Sequence, residues 1–174
     1  QQSCLFPTSI PSLKQSFPQF VDANLIASDP VDAVLLKAMT RHGEPAITEL
    51  EQLNGKKVAI WNGLDPGVLL KEIDAEVETT TDEAIRLKML YNHRVDVILG
   101  FTPDTQLAAE ALGLPLPNLE NAYEFFDNNG VTLVCFDSER NRQLIEVFNR
   151  DLSQLKASGE LATLLGPHAD IIYP

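Results

Sequence analysis

From Lys56 onward the chain alternates short apolar runs with amphipathic segments, and that rhythm narrows the folds open to it. Lys57–Trp61 (KVAIW) reads as a short buried strand. Asp65 and Pro66 then open a helix, with Asp as N-cap and Pro at the first helical position, running to about Ile73. Glu76–Thr79 is a second strand. Thr80 to Glu83 spells the capping box T-x-x-E, and the helix it starts carries Ala84, Leu87, Leu90 and Tyr91 on one face and ends near His93. Val95–Leu99 (VDVIL) is a third strand, closed by Gly100. Thr102-Pro103 caps the next helix, with Leu107, Ala108, Ala111 and Leu112 inward and Gly113 as its stop. Strand and helix in strict turn predict an α/β fold, a parallel sheet covered by helices.

The flanks are less regular. Pro7, Pro11, Pro18 and Pro30 punctuate the first thirty residues, which read as loops with one short strand at Cys4–Phe6. Val31–Met39 (VDAVLLKAM) is a compact apolar strand, ended by Gly43 to Pro45. Ile47–Leu53 makes a helical turn before the turn dipeptide Asn54-Gly55. After the Pro-rich link Leu114–Pro117 comes a turn at Asn128-Asn129-Gly130 and the strand Val131–Phe136. Asp137 or Ser138 then caps a long helix with the stripe Leu144, Phe148, Leu152 and Leu155. Gly159 ends it, and a short helix Glu160–Leu165 stops at Gly166-Pro167.

Of 174 residues, 44% are apolar and 22% charged, so a core can form, and the formal net charge of -12 disfavours nucleic acid and anionic membrane surfaces. No apolar run is long enough to span a bilayer. No signal peptide is visible at the start, and a cleaved one would leave the same start. Cys4 and Cys135 leave two readings level: one long-range disulfide in an oxidising compartment, or two buried thiols.

Sharp catalytic signatures are missing. His42, His93 and His168 are isolated, without partners at metal-ligand spacing. The sequence has no nucleophile elbow, P-loop or dinucleotide fingerprint. Asp96 beside Arg94 reads as a solvated or ion-paired strand residue. The residues point to no cofactor, no metal and no enzyme.

Three segments carry a family resemblance. Leu50–Gly63 (LEQLNGKKVAIWNG) looks like the lobe-crossing segment of the amino-acid-type periplasmic solute-binding proteins of bacterial ABC uptake systems. Thr80–Gly100 (TTDEAIRLKMLYNHRVDVILG) resembles that family's helix and strand ending in V-D-A-V-V, and Asn141–Leu165 resembles its C-terminal helices. The resemblance implies an α/β, two-lobed type II clamshell with the second lobe complete and the first partial. Residues 1–39 and 134–174 form the partial first lobe with the C-terminal helices, and residues 40–133 the second lobe with its crossing segments. Val31–Met39 and Val131–Phe136 are the expected crossings, and the chain enters after the family's opening βαβα segment. Two family anchors are absent. The Arg that clamps an α-carboxylate would follow Thr8, where Ser9-Ile10-Pro11-Ser12 stands, and the Asp that holds an α-amino group would fall at Gly100-Phe101-Thr102. A plain amino acid is therefore not the expected ligand.

Ligands of open α/β sheets lie beyond the carboxyl ends of the strands. That rule selects Trp61, Asn62, Gly63, Leu64 and Asp65, then Phe101 and Thr102, with Thr8 and Ser9 from the first lobe. Trp61 reads equally as a core residue, and Asp65 and Thr102 as simple helix caps. The leading expectation is extracytoplasmic, periplasmic binding of a small solute between the lobes for delivery to a membrane permease, with no direct membrane insertion. The alternatives are a ligand-sensing receptor ectodomain, a dehydratase-like enzyme using Asp65, and a ligand-free interaction partner.

Overall fold

The structure is a computed structural model and describes residues 3–125 and 130–173. The chain divides into two compact units, Leu35–Asp127 and the pair of segments Gln1–Val34 and Asn128–Pro174.

The 35–127 unit is built on four strands, β3 (Leu36–Met39), β4 (Lys57–Trp61), β5 (Glu76–Thr80) and β6 (Val97–Phe101), in the order β3-β6-β4-β5. β4 runs parallel to both β5 and β6, while β3 closes the edge antiparallel to β6. Alternation along each strand splits the core between the two faces of the sheet. Val58, Ile60, Val97 and Leu99 pack on one face with Leu69 and Leu70 of α2 (Pro66–Leu69) and the cap after it. Ala59, Ile98 and Met39 pack on the other with Leu87, Met89 and Leu90 of α3 (Glu83–Tyr91) and Ala109 of α4 (Asp104–Leu112). β4 therefore sends its helix to one face, while its neighbours β5 and β6 send theirs to the other.

The other unit carries an antiparallel sheet in which β7 (Thr132–Phe136) lies between β1 (Cys4–Thr8) and β2 (Leu25–Ala27). Cys4 and Cys135 are cross-strand partners and are joined by a disulfide, which settles the open cysteine question. α1 (Ile10–Ser16) follows β1. α5 (Glu139–Ser158) and α6 (Glu160–Leu165) pack Leu152, Leu161, Phe148 and Leu155 against Val31. Ser138 caps α5 through Asn141 N, and Gly159 ends it in the left-handed region at φ 74°. Lys156 of α5 donates from Nζ to the carbonyls of Pro30 and Ile172, and desolvation by burial pushes its pKa down. No helix of the described residues is long and apolar enough to cross a membrane.

Several sequence expectations shift. The first thirty residues hold a helix and a second strand as well as β1; Pro11 is tolerated because it sits at the start of α1, where its missing N–H costs nothing. Val31–Met39 is not one strand: only Leu36–Met39 is, and Val31 is buried against α5 instead. α3 is capped by Asp82, whose carboxylate accepts from Ile85 N, and not by Thr80, which ends β5. β6 begins two residues later than expected, because Val95 belongs to the core under α3 and Asp96 accepts from Lys57 N at 2.9 Å. Gly100 lies inside β6 and does not close it. α2 stops at Leu69, short of Ile73. On α5, Leu144 is exposed and Ile145 takes the buried position. The expected turn residues Asn128 and Asn129 lie outside the described residues.

Candidate functional site

In a doubly wound sheet, the crevice forms where neighbouring strands send their connections to opposite faces. In the 35–127 unit that point is the carboxyl end of β4, flanked by the carboxyl ends of β5 and β6. Trp61 ends β4, paired with Thr80, and Asn62 N donates to Thr80 O at 2.9 Å. Leu64 N returns to Trp61 O at 3.0 Å and closes a turn. Trp61 is 41% exposed, which excludes the core-Trp reading. Its six-membered ring lies directly on Gly63: a Cβ there would meet ring carbons at 2.3 Å. A glycine is required by that close approach, which sets the ring against the loop. Asp65 is exposed and accepts from Gly67 N at 2.8 Å as the cap of α2.

Phe101 and Thr102 sit beside this loop in sheet order but are more committed than the sequence suggests. Phe101 is the last residue of β6, and its ring packs half-buried against the core. Thr102 does not cap α4. Its Oγ1 accepts from Leu35 N at 3.1 Å and its N–H donates to Leu35 O at 2.9 Å, which ties the strand end to the start of β3. Pro103 holds the cap position of α4, without a side-chain bond.

Thr8 and Ser9 belong to the other unit. Thr8 ends β1 and its carbonyl accepts from Thr132 Oγ1 at 3.0 Å, and Ser9 caps α1 through Ser12 N.

Sequence reading missed a buried polar network behind the loop. Arg86 is 3% exposed, donates from NH2 to Glu83 and reaches Thr80 Oγ1 at 3.4 Å from NH1. Thr105, fully buried at the start of α4, donates to Glu83 Oε1 at 2.7 Å. The network thus links the end of β5 to the first turns of α3 and α4. Gly100 makes room for it, since a Cβ there would meet Thr105 Oγ1 at 2.3 Å. The one available signal was the i,i+3 spacing of Glu83 and Arg86. Among the described residues no group of histidine, cysteine and carboxylate side chains could hold a metal ion.

The fold, as distinct from these side chains, is known in other proteins. The chain has the α/β fold of the substrate-binding domains of amino acid ABC transporters, that is, of the type II periplasmic binding proteins. An arginine transport system periplasmic binding protein from Legionella pneumophila superposes with a TM-score of 0.53 at 19% identity, over 82% of this chain and 64% of that one. A histidine kinase sensor domain with similarity to periplasmic binding proteins superposes with a TM-score of 0.62 at 16% identity, over 90% of this chain and 67% of that one. By sequence, a Shewanella frigidimarina protein named as a sensor is 30% identical over 156 residues, 85% of this chain but 22% of its own length. The chain spans less than half the length of the curated relatives it matches, 22% and 43%. No family model matches.

Proposed function

We propose that this chain recognises a small solute at the carboxyl ends of β4 and β6, in an extracytoplasmic compartment, and does not transform it. The observation that carries the reading is the exposed indole of Trp61, pinned on Gly63 at the point where the sheet's connections diverge. A large aromatic surface left in water at that position is what a ligand covers. Asn62 and Asp65 on the same loop supply polar groups, and Phe101 and Thr102 form the neighbouring strand end. The Cys4–Cys135 disulfide supports an oxidising compartment, the periplasm among them. The binding-protein and sensor relatives support recognition over catalysis.

Delivery to a membrane permease is the role the transporter substrate-binding folds support. Sensing is the second reading, supported by the likeness to a sensor protein and to a histidine kinase sensor domain. A thermal-shift screen of small metabolites tests recognition: a solute at a hundredfold its dissociation constant stabilises by about 2.7 kcal/mol. A hit that Trp61→Ala abolishes supports the reading, and a broad library without any hit contradicts it. Disrupting the gene then separates the roles. Lost uptake of the hit solute marks delivery; intact uptake with a lost transcriptional response marks sensing.

A further inference from the structure

We propose that the unit holding β1, β2 and β7 carries a second small-molecule site, a cavity beside α5 that takes an apolar monocarboxylate with Lys156 as its anchor. This site does not depend on the strand ends of the other unit. The cavity measures about 470 Å³, within the range of small-molecule sites, and every residue lining it belongs to the 1–34 and 128–174 segments. Pro30, Leu152, Ala157, Ile172 and Tyr173 give it a mostly apolar wall.

Hydrogen bonds and close packing hold that wall in place. Asp29 N donates to Asn149 Oδ1 of α5 at 2.9 Å, which ties the residue before Pro30 to the helix. Asp32 pairs with Ile171, and Ala33 N donates to Asp170 O at 2.8 Å, which fixes the segment leading to Ile172 and Tyr173. Pro30 and Ile172 both crowd Gly130, where a Cβ would meet their side chains at 2.5 and 2.6 Å. The cavity is thus formed before a ligand arrives, and little ordering opposes binding.

Lys156 decides what enters. Its Nζ donates to Pro30 O at 2.7 Å and to Ile172 O. An ammonium has three N–H groups, and among the described residues these two neutral carbonyls are its only acceptors. Asp29 is exposed at the rim and acts on Lys156 through space, without an ion pair. A half-buried positive charge met only by neutral dipoles is one that an anion stabilises. The downward push of burial on its pKa agrees with that shortfall. Among the described residues Lys156 is the one basic side chain lining the cavity, and the Asp29 carboxylate repels a second negative charge. One carboxylate is therefore favoured over a phosphate or a dicarboxylate, and the apolar wall selects a hydrocarbon body.

The test uses the full chain with its disulfide intact and two acid–amide pairs of nearly equal shape: phenylacetate with phenylacetamide, and hexanoate with hexanamide. Isothermal titration should give about tenfold tighter binding for at least one acid than for its amide. Lys156→Met, which keeps the length of the side chain, should lose that preference. Ala157→Phe, which fills the cavity from an exposed helix position, should abolish binding of the acid. Trp61→Leu should leave it unchanged, which separates this site from the strand ends. Circular dichroism checks that each variant folds. For a variant that does not, methyl NMR of the parent protein decides: the Leu152 and Ile172 resonances should shift as the acid is added. Unshifted resonances, no binding by either acid at millimolar concentration, equal binding of acid and amide, or binding that survives Ala157→Phe overturns the proposal. A loss of binding in Trp61→Leu overturns it too, by placing the acid at the other site. Solute recognition at Trp61 is judged separately, by the wider metabolite screen.

Discussion

Gly63 and Trp61 form the smallest unit that can be tested. A methyl group on Gly63 cannot coexist with the indole at 2.3 Å, so Gly63→Ala must swing the ring off the loop. Trp61 is the only tryptophan, so intrinsic fluorescence reports the change without ambiguity. The variant should shift the emission maximum and lose solute binding while its far-UV circular dichroism stays native. Unchanged emission would mean that the ring is not held by this contact. A second prediction concerns Asp137, whose carboxylate accepts from Arg142 at 2.7 and 2.8 Å and from Asn24 at 3.0 Å. The Arg142 hydrogen bond holds its pKa below the usual carboxylate range. A carboxyl depressed in the folded state stabilises above its unfolded pKa, near 3.9, and that contribution is lost as pH falls through the lower folded value. Asp137→Asn should therefore lower the melting temperature at pH 7, and the gap to the parent should close below about pH 4. A gap that does not change with pH would remove Asp137 from the account.

Between elements, the network of Arg86, Glu83, Thr80 and Thr105 joins α3, α4 and β5 behind the site. Truncating one side of a buried ion pair leaves the other charge unpaired and costs roughly 3–5 kcal/mol, whereas replacing both with apolar groups is often neutral. Arg86→Met alone should destabilise by that order, and Glu83→Leu with Arg86→Met should recover most of the loss in urea unfolding. Similar losses in the single and the double variant would contradict the pairing. The elements also divide by how local their signals are. β4, β5, α4 and α5 were legible because buried runs, caps and terminal glycines lie within a few residues of what they control. β2 and α1 were not, because β2 exists by pairing with β7, more than a hundred residues away, and prolines masked the helix. The edges of β6 were misplaced for the same reason: Val95 is apolar on account of α3, not of the sheet. The strand-end rule correctly set the Trp61 loop at the carboxyl end of β4, while Arg86 was invisible because a charged residue on a helix reads as solvated until its burial is seen.

At the scale of the whole molecule, the disulfide is the largest single constraint. Cys4 and Cys135 are 131 residues apart, and the loop they close contains the entire 35–127 unit. In the chain-entropy picture, closing a loop of that length stabilises by about 5 kcal/mol. Cys4→Ser with Cys135→Ser should lower stability by that order, chiefly in the unit that holds β1 and β7, as read by hydrogen exchange of their amides. Protection that survives intact in the double variant would mean that the sheet does not depend on the crosslink.

The central claim is that a solute lies against Trp61. The most direct measurement is a fluorescence titration of the single tryptophan with any solute that raises the melting temperature. The account predicts a saturable change in Trp61 emission, with a midpoint matching the calorimetric dissociation constant. A solute that binds by calorimetry and leaves the emission unaltered would contradict it.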